Sequence, residues 1–204
     1  FYRHQHRDLT DVDELTLDTT TTTPVVIVRR SVGDSTITQR VTLSPTTPRV
    51  DIDTHIDWHE SEKILKAAFP LDVHADRSTS ETQFGHVHRP THTNTSWDAA
   101  RFEICAHRWL HVGEPGYGHA VVNDSTYGPD THDTGTTTTV RLSLLRAPRF
   151  PDPDTDHGPH HLRYALVVGA DISDAVREGY RINLPERVHS GTRDVPALFT
   201  VDNP

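Results

Sequence analysis

The sequence predicts an all-β protein: a large antiparallel β-sandwich with one short helix. Three observations carry this expectation. Apolar and polar residues alternate with period two in stretch after stretch, as half-buried strands require. Turn signals rich in Gly, Pro and Asp separate those stretches at short intervals. Only one segment has the spacing of an amphipathic helix.

Taken in order, the first strand signal is "PVVIVRR". "STITQRVTLS" follows, with Ile37, Val41 and Leu43 on one face. "RVDIDTHIDW" alternates cleanly: Val50, Ile52, Ile56 and Trp58 face one way, Asp51, Asp53, His55 and Asp57 the other. "AAFPLDVHA" is next. "ARFEICAHRWLHV" reads as a core strand, with Phe102, Ile104, Ala106 and Leu110 opposed to Glu103, Cys105, His107 and Trp109. "TVRLSLL" presents Val140, Leu142 and Leu144, and "HLRYALVV" presents Leu162, Tyr164, Leu166 and Val168. "ALFTV" ends the set. The helix is expected in "DISDAVREGYRI", where Ile172, Ala175, Val176 and Gly179 form a stripe. Asp171 or Ser173 would cap it and Gly179 would end it. The turns are "SVGDS", "GEPGYG", "YGPD" and "RFPDPDTDHGPHH". Two threonine tracts, 19–24 and 134–139, suit extended edges or exposed loops. No internal repeat and no linker divides the 204 residues, which are expected to form one domain.

Composition narrows the partners. A formal net charge of -9 argues against nucleic acid and anionic membranes, which attract basic surfaces. No apolar run is long enough to span a bilayer. A single cysteine, Cys105, makes a reducing compartment the simpler expectation, and hence the cytoplasm. There is no methionine, even at position 1, so the chain is expected to be a fragment of a longer polypeptide.

Several residue groups have both a chemical and a plain reading. His86 and His88 share a strand face, with His92 beyond the turn, and such a pair can chelate zinc. No cysteine or carboxylate follows at a matching offset, so a wet strand face is the simpler reading. "DHGPHH", with His157, His160 and His161, reads as a surface loop. Asp57, Glu60 and Glu62 supply carboxylates of the kind a glycosidase uses, but neighbours in sequence rarely converge that way. Cys105 and His107 lack an oxyanion motif. Three stretches stand apart: "RPTHTNTSWD", "NDSTYGPD" (Asn123, Asp124, Tyr127) and "SLLRAP" (Arg146). Each sets amide, carboxylate, phenol or guanidinium groups at a strand end. They would either bind sugar hydroxyls or brace loop geometry through buried networks.

The same stretches carry a family resemblance. "IDWHESEKILKAAFPLDVHAD", "QFGHVHRPTHTNTSWDAARFEICAHRW", "GYGHAVVNDSTYG" and "LSLLRAPRFPDPDTDHGPHHLRYAL" resemble, in this order, the family 38 glycoside hydrolases, and within them the cytosolic-type α-mannosidases. The match runs from about residue 31 to 188, and "FYRHQHRDLTDVDEL" resembles the opening of the family's β region. The resemblance implies a sandwich of the galactose-mutarotase-like supersandwich kind, preceded in the whole enzyme by an α/β barrel and a small helical domain. The implied reaction is retaining hydrolysis of α-mannosides with zinc. The zinc ligands, the nucleophile and the acid/base residue of such enzymes lie upstream, so no catalytic residue and no metal ligand is carried over to this chain.

By motif position the resemblance makes Asn123, Asp124, Tyr127 and Arg146 the first substrate-contact candidates, with Arg89, His92 and Asn94 second. Implied partners are an α-mannoside or oligosaccharide and the barrel of the same polypeptide. An autonomous carbohydrate-binding module and a homo-oligomerisation unit are the alternatives. The sequence departs from the family pattern in three ways. Thr126 stands where a basic residue is usual, "HDTGTTTT" is unexpected, and the chain is expected to stop before the last β segment, leaving an exposed strand edge.

Overall fold

A computed structural model describes residues 5–184 and 190–191. Twelve strands and two helices are present among them. The strands are β1 (Glu14–Asp18), β2 (Val25–Val32), β3 (Ser35–Leu43), β4 (Arg49–Trp58), β5 (Leu65–Leu71) and β6 (Arg77–Thr82). They continue with β7 (Gly85–Pro90), β8 (Trp109–Glu114), β9 (Tyr117–Asn123), β10 (Pro129–Asp133), β11 (Thr138–Leu145) and β12 (Gly158–Val168). The helices are α1 (Ser96–Ala100) and α2 (Ile172–Asn183).

Nine strands form one sheet in the order β1-β2-β3-β4-β12-β9-β8-β6-β7, and three form a second, β10-β11-β5. Every pairing is antiparallel. The expected all-β sandwich is therefore the observed architecture. Its core lies where the small sheet covers the middle of the large one. Phe69, Leu71, Val140 and Leu142 pack on Leu110, Val112, Val121 and Tyr164. Burying each of these side chains stabilises the fold by about 1.5–3 kcal/mol. The Tyr164 phenol sits in this apolar layer but is not orphaned. Its oxygen is 3.0 Å from Gln39 Nε2 and 3.1 Å from Thr54 Oγ1, and burial pushes its pKa up.

The outer face of the large sheet is covered by α2. Trp109, Ala120, Val122, Ala165 and Val167 point away from the sandwich core and meet Ala175 and Ile182 of the helix. Small residues at Ala120 and Ala165 let the helix approach. Asp171 caps α2 with a full capping box, as expected. Gly179 does not end the helix, which runs on to Asn183. It is a contact residue: a Cβ there would lie 2.9 Å from Trp109 Cδ1. Close packing, not termination, accounts for this glycine.

Three further expectations are corrected. A second helix, α1, starts at the capping box of Thr95 and Asp98, a five-residue helix too short to show periodicity. The run "ARFEICAHRW" is not one core strand. β8 begins only at Trp109, and residues 101–108 cross between the sheets. The alternation still has a cause. Ile104 and Ala106 pack on the core, while their backbone N–H groups bond Pro129 O and Tyr127 O. Finally, His160 and His161 of "DHGPHH" belong to β12, where His161 stands opposite His55 of β4. The segment "ALFTV" lies outside the described residues.

Candidate functional site

The expected candidates gather in two places. The first is the turn after β9. Asn123 is 2% exposed and ends the strand. Its Nδ2 donates to His107 O at 2.9 Å, and its Oδ1 accepts from the N–H groups of Ser125 (3.1 Å) and Thr126 (2.8 Å). This is an Asx-type turn, which the short amide side chain makes locally. Asn183 of α2 donates to Asn123 O at 2.9 Å, tying the turn to the helix. Asp124 is paired with Arg163: Oδ2 accepts from Nε at 2.9 Å and Oδ1 from the backbone N–H at 3.2 Å. Both side chains are thus committed within the fold. Thr126, the departure noted above, is buried with its N–H on Asn123 and its Oγ1 unpartnered among the described residues.

Tyr127 differs. It is 52% exposed, and its ring lies 5.4 Å from that of His107. Residues 101–108 carry this turn towards Arg146. Ala106 N bonds Tyr127 O, Ile104 N bonds Pro129 O, and Glu103 then meets β11. Glu103 accepts from Ser143 Oγ (2.7 Å) and Lys66 Nζ (2.9 Å). Burial pushes the Glu103 carboxyl up, but those hydrogen bonds and the charges of Lys66 and Arg146 outweigh it and hold the pKa below the ordinary value. Glu103, Ser143, Arg146, Ile64 and Asp156 line a cleft of about 200 Å³. Asp156 Oδ2 shapes its rim by accepting from the N–H groups of Arg146 (2.9 Å) and Ala147 (3.0 Å). Tyr127, Glu103 and Arg146 thus follow one another along one end of the sandwich. Glu103 was not among the expected contacts, and the signal for it was weak: one carboxylate in an apparent core strand.

The second place is the β7–α1 connection. Arg89 lies on edge strand β7, with a buried Nη1 that has no partner among the described residues. His92 Nδ1 is 3.7 Å from Asp98 Oδ2, too long for a hydrogen bond. Asn94 is exposed. No hydrogen bond or ion pair connects these three to Tyr127, Glu103 or Arg146 among the described residues.

The other sequence candidates resolve into ordinary pairings. His86 and His88 do share a face, their rings 5.3 Å apart, but His88 Nδ1 is on Thr79 Oγ1 at 2.9 Å. Asp57 pairs with His59, and Glu60 bonds Lys63 and the N–H of Asp34. Cys105 is exposed and free. No described helix is long and apolar enough to cross a membrane.

Comparison with known proteins agrees with this architecture. Residues 1–154 match the model of the glycosyl hydrolases family 38 C-terminal domain. The chain is 40% identical over 178 residues to human alpha-mannosidase 2C1, which covers 84% of this chain but 17% of that protein. It is 42% identical over 164 residues to the alpha-mannosidase of Saccharomyces cerevisiae, 76% of this chain and 15% of that one. Among solved structures, an alpha-mannosidase from Enterococcus faecalis V583 shares the fold at a TM-score of 0.75 and 14% identity, over 86% of this chain and 24% of that chain. The chain therefore spans less than a fifth of the length of these curated relatives. With a family model matched across most of its length and an antiparallel sandwich that superposes on such an enzyme, the chain belongs to the C-terminal domain of the family 38 glycosyl hydrolases.

Proposed function

We infer that this chain is the β-sandwich part of a retaining, zinc-dependent α-mannosidase, and that it packs on a catalytic barrel of the same polypeptide. The observation that carries this is the asymmetry of coverage. A relative that matches 84% of this chain does so with 17% of its own length. In this reading the cleft lined by Glu103, Ser143 and Arg146 forms one wall of a composite site.

In this reading Tyr127 and Arg146 face the shared pocket. Asn123 and Asp124 hold the turn that positions Tyr127, and Arg89, His92 and Asn94 meet the interface at a separate point. The zinc implied by the family would hold sugar hydroxyls, and its ligands lie outside this chain. The chain alone is inactive, and a cytoplasmic location goes with the lone, free Cys105.

The test is hydrolysis of an aryl α-mannoside by the purified chain, with and without zinc, beside a polypeptide extended upstream. The expected result is turnover only in the extended protein. Zinc-dependent turnover by the chain alone would overturn the reading. A second reading, an autonomous carbohydrate-binding module, has one feature in its favour: the half-exposed Tyr127 ring near the polar cleft. Calorimetry with mannose decides it, and no heat at millimolar sugar excludes it.

A further inference from the structure

We propose that Asp53, His55 and His161 form a divalent metal site, selective for zinc-like ions, on the outer face of the large sheet. The three side chains come from the central strand, β12, and its neighbour β4. His55 and Asp53 are i and i+2 on one face of β4, and His161 stands directly opposite His55 on β12. Their ligand atoms all lie within 4.8 Å of one another.

Both imidazoles turn the same nitrogen to the same oxygen. His161 Nε2 is 2.9 Å and His55 Nε2 3.1 Å from Asp53 Oδ1. The rings are stacked, 4.2 Å between centroids and 5° from parallel, and both are more than half exposed, so one can turn out of the stack to bring its nitrogen lone pair onto a shared ion. In a tetrahedral zinc centre, bonds of about 2.1 Å place neighbouring ligand atoms about 3.4 Å apart. The observed nitrogen–oxygen separations, 2.9 and 3.1 Å, need to open by roughly 0.3–0.5 Å as one ring turns. Two nitrogens and one carboxylate oxygen suit zinc and its neighbours, whereas calcium and magnesium want oxygen sets. The half-exposed side chains leave a fourth position for water or a ligand.

The surroundings keep Asp53 available. Two arginines flank it in the sheet, Arg40 on β3 and Arg163 on β12. Arg163 is turned away, its Nε on Asp124 and its Nη2 on Ile182 O. Arg40 Nη2 lies 3.9 Å from Asp18 Oδ2. The carboxylate is left to the two imidazoles. The strands are held by continuous pairing through these positions, so the donors are presented by a rigid frame.

The test reads binding rather than turnover. The full chain is titrated with Zn²⁺ by calorimetry and with Co²⁺ by its visible absorption. The expected result is one tight equivalent per chain. It is weakened at least ~10-fold in each of Asp53→Asn, His55→Gln and His161→Gln, and unchanged in His88→Gln. Circular dichroism checks that each variant is folded. A second measurement needs no variant. Substoichiometric Co²⁺ is expected to broaden two imidazole proton resonances first in the wild-type chain, assigned to His55 and His161. The proposal is overturned if no tight phase appears, if the tight phase survives His161→Gln, or if broadening centres on other histidines.

Discussion

Asn123 and Tyr127 lie four residues apart in one turn and do different work. The Asn123 side chain completes three hydrogen bonds with buried or half-buried backbone. Replacing it by alanine leaves those partners without a match, and each orphaned group costs about 1–3 kcal/mol, less whatever water recovers. Asn123→Ala is expected to destabilise the chain by about 2–4 kcal/mol in urea titration. Tyr127→Phe removes only an exposed hydroxyl and is expected to stay within about 0.5 kcal/mol of wild type. If Tyr127 contacts sugar, the same substitution in the longer polypeptide lowers kcat/KM for an aryl α-mannoside with stability unchanged. An unchanged kcat/KM would remove Tyr127 from the pocket. The sequence placed all these groups at a strand end but could not separate them. Brace and contact use the same residue types, and only burial and partner geometry tell them apart.

At the scale of elements, long runs with clean alternation were legible, whereas β1, β6 and β9 were not among the expected strands. β4, β11 and β12 follow their alternation. β6, "RSTSET", has no apolar residue, yet Ser78, Thr79, Ser80 and Glu81 are all buried. It is held by polar pairing, including Arg108 donating to Glu81. The Glu81 hydrogen bond, against opposing burial and helped by Tyr180, pushes the Arg108 pKa up. The exterior packing of α2 was hidden for another reason: alternation reveals a face, not what covers it.

Gly179 shows the consequence. Alanine would favour the helix by about 1 kcal/mol on propensity. Its Cβ would meet Trp109 at 2.9 Å and Arg108 Cβ at 3.3 Å. Gly179→Ala is therefore expected to destabilise the chain by a net of about 1–2 kcal/mol, read as a lower melting temperature. A rise would show that the helix can shift off the sheet.

The same junction has a pH sign. Burial lowers the pKa of His111, partly opposed by Ala170 O, and burial lowers that of His119, with His111 adding to it. The unfolded chain takes up these protons first as pH falls below about 6.5. Stability from the pair is whole above that pH and declines as pH drops through the depressed folded values. Thermal melts between about pH 7.5 and pH 5 are expected to show a shallower decline in His111→Gln/His119→Gln than in wild type. Equal slopes would mean that the two rings are not desolvated.

The whole molecule is unevenly covered. Cross-strand register runs from Tyr164 to Ile52, Val41, Val26 and Leu17, and from Leu166 to Val50 and Leu43. These residues share the inner face of the large sheet. The small sheet covers only the Tyr164 and Leu166 end of those rows. Towards β1 the same face carries Leu15 and Leu17, 67% and 64% exposed, with Leu43 at 67%. β1 is also a terminal strand of its sheet, with no partner on its far side among the described residues. An apolar sheet face beside an open edge favours association with another chain. The isolated chain is therefore expected to self-associate as its concentration rises, burying these leucines against a second copy. Sedimentation velocity measures it directly. Leu17→Lys/Leu43→Lys places two charges on that face without touching the buried core. It is expected to shift the boundary towards monomer at equal concentration, with an unchanged melting temperature. A wild-type chain that stays monomeric over the same range would refute self-association through this strip. Association undiminished in the double variant would place the contact elsewhere, the first alternative being the opposite edge strand, β7.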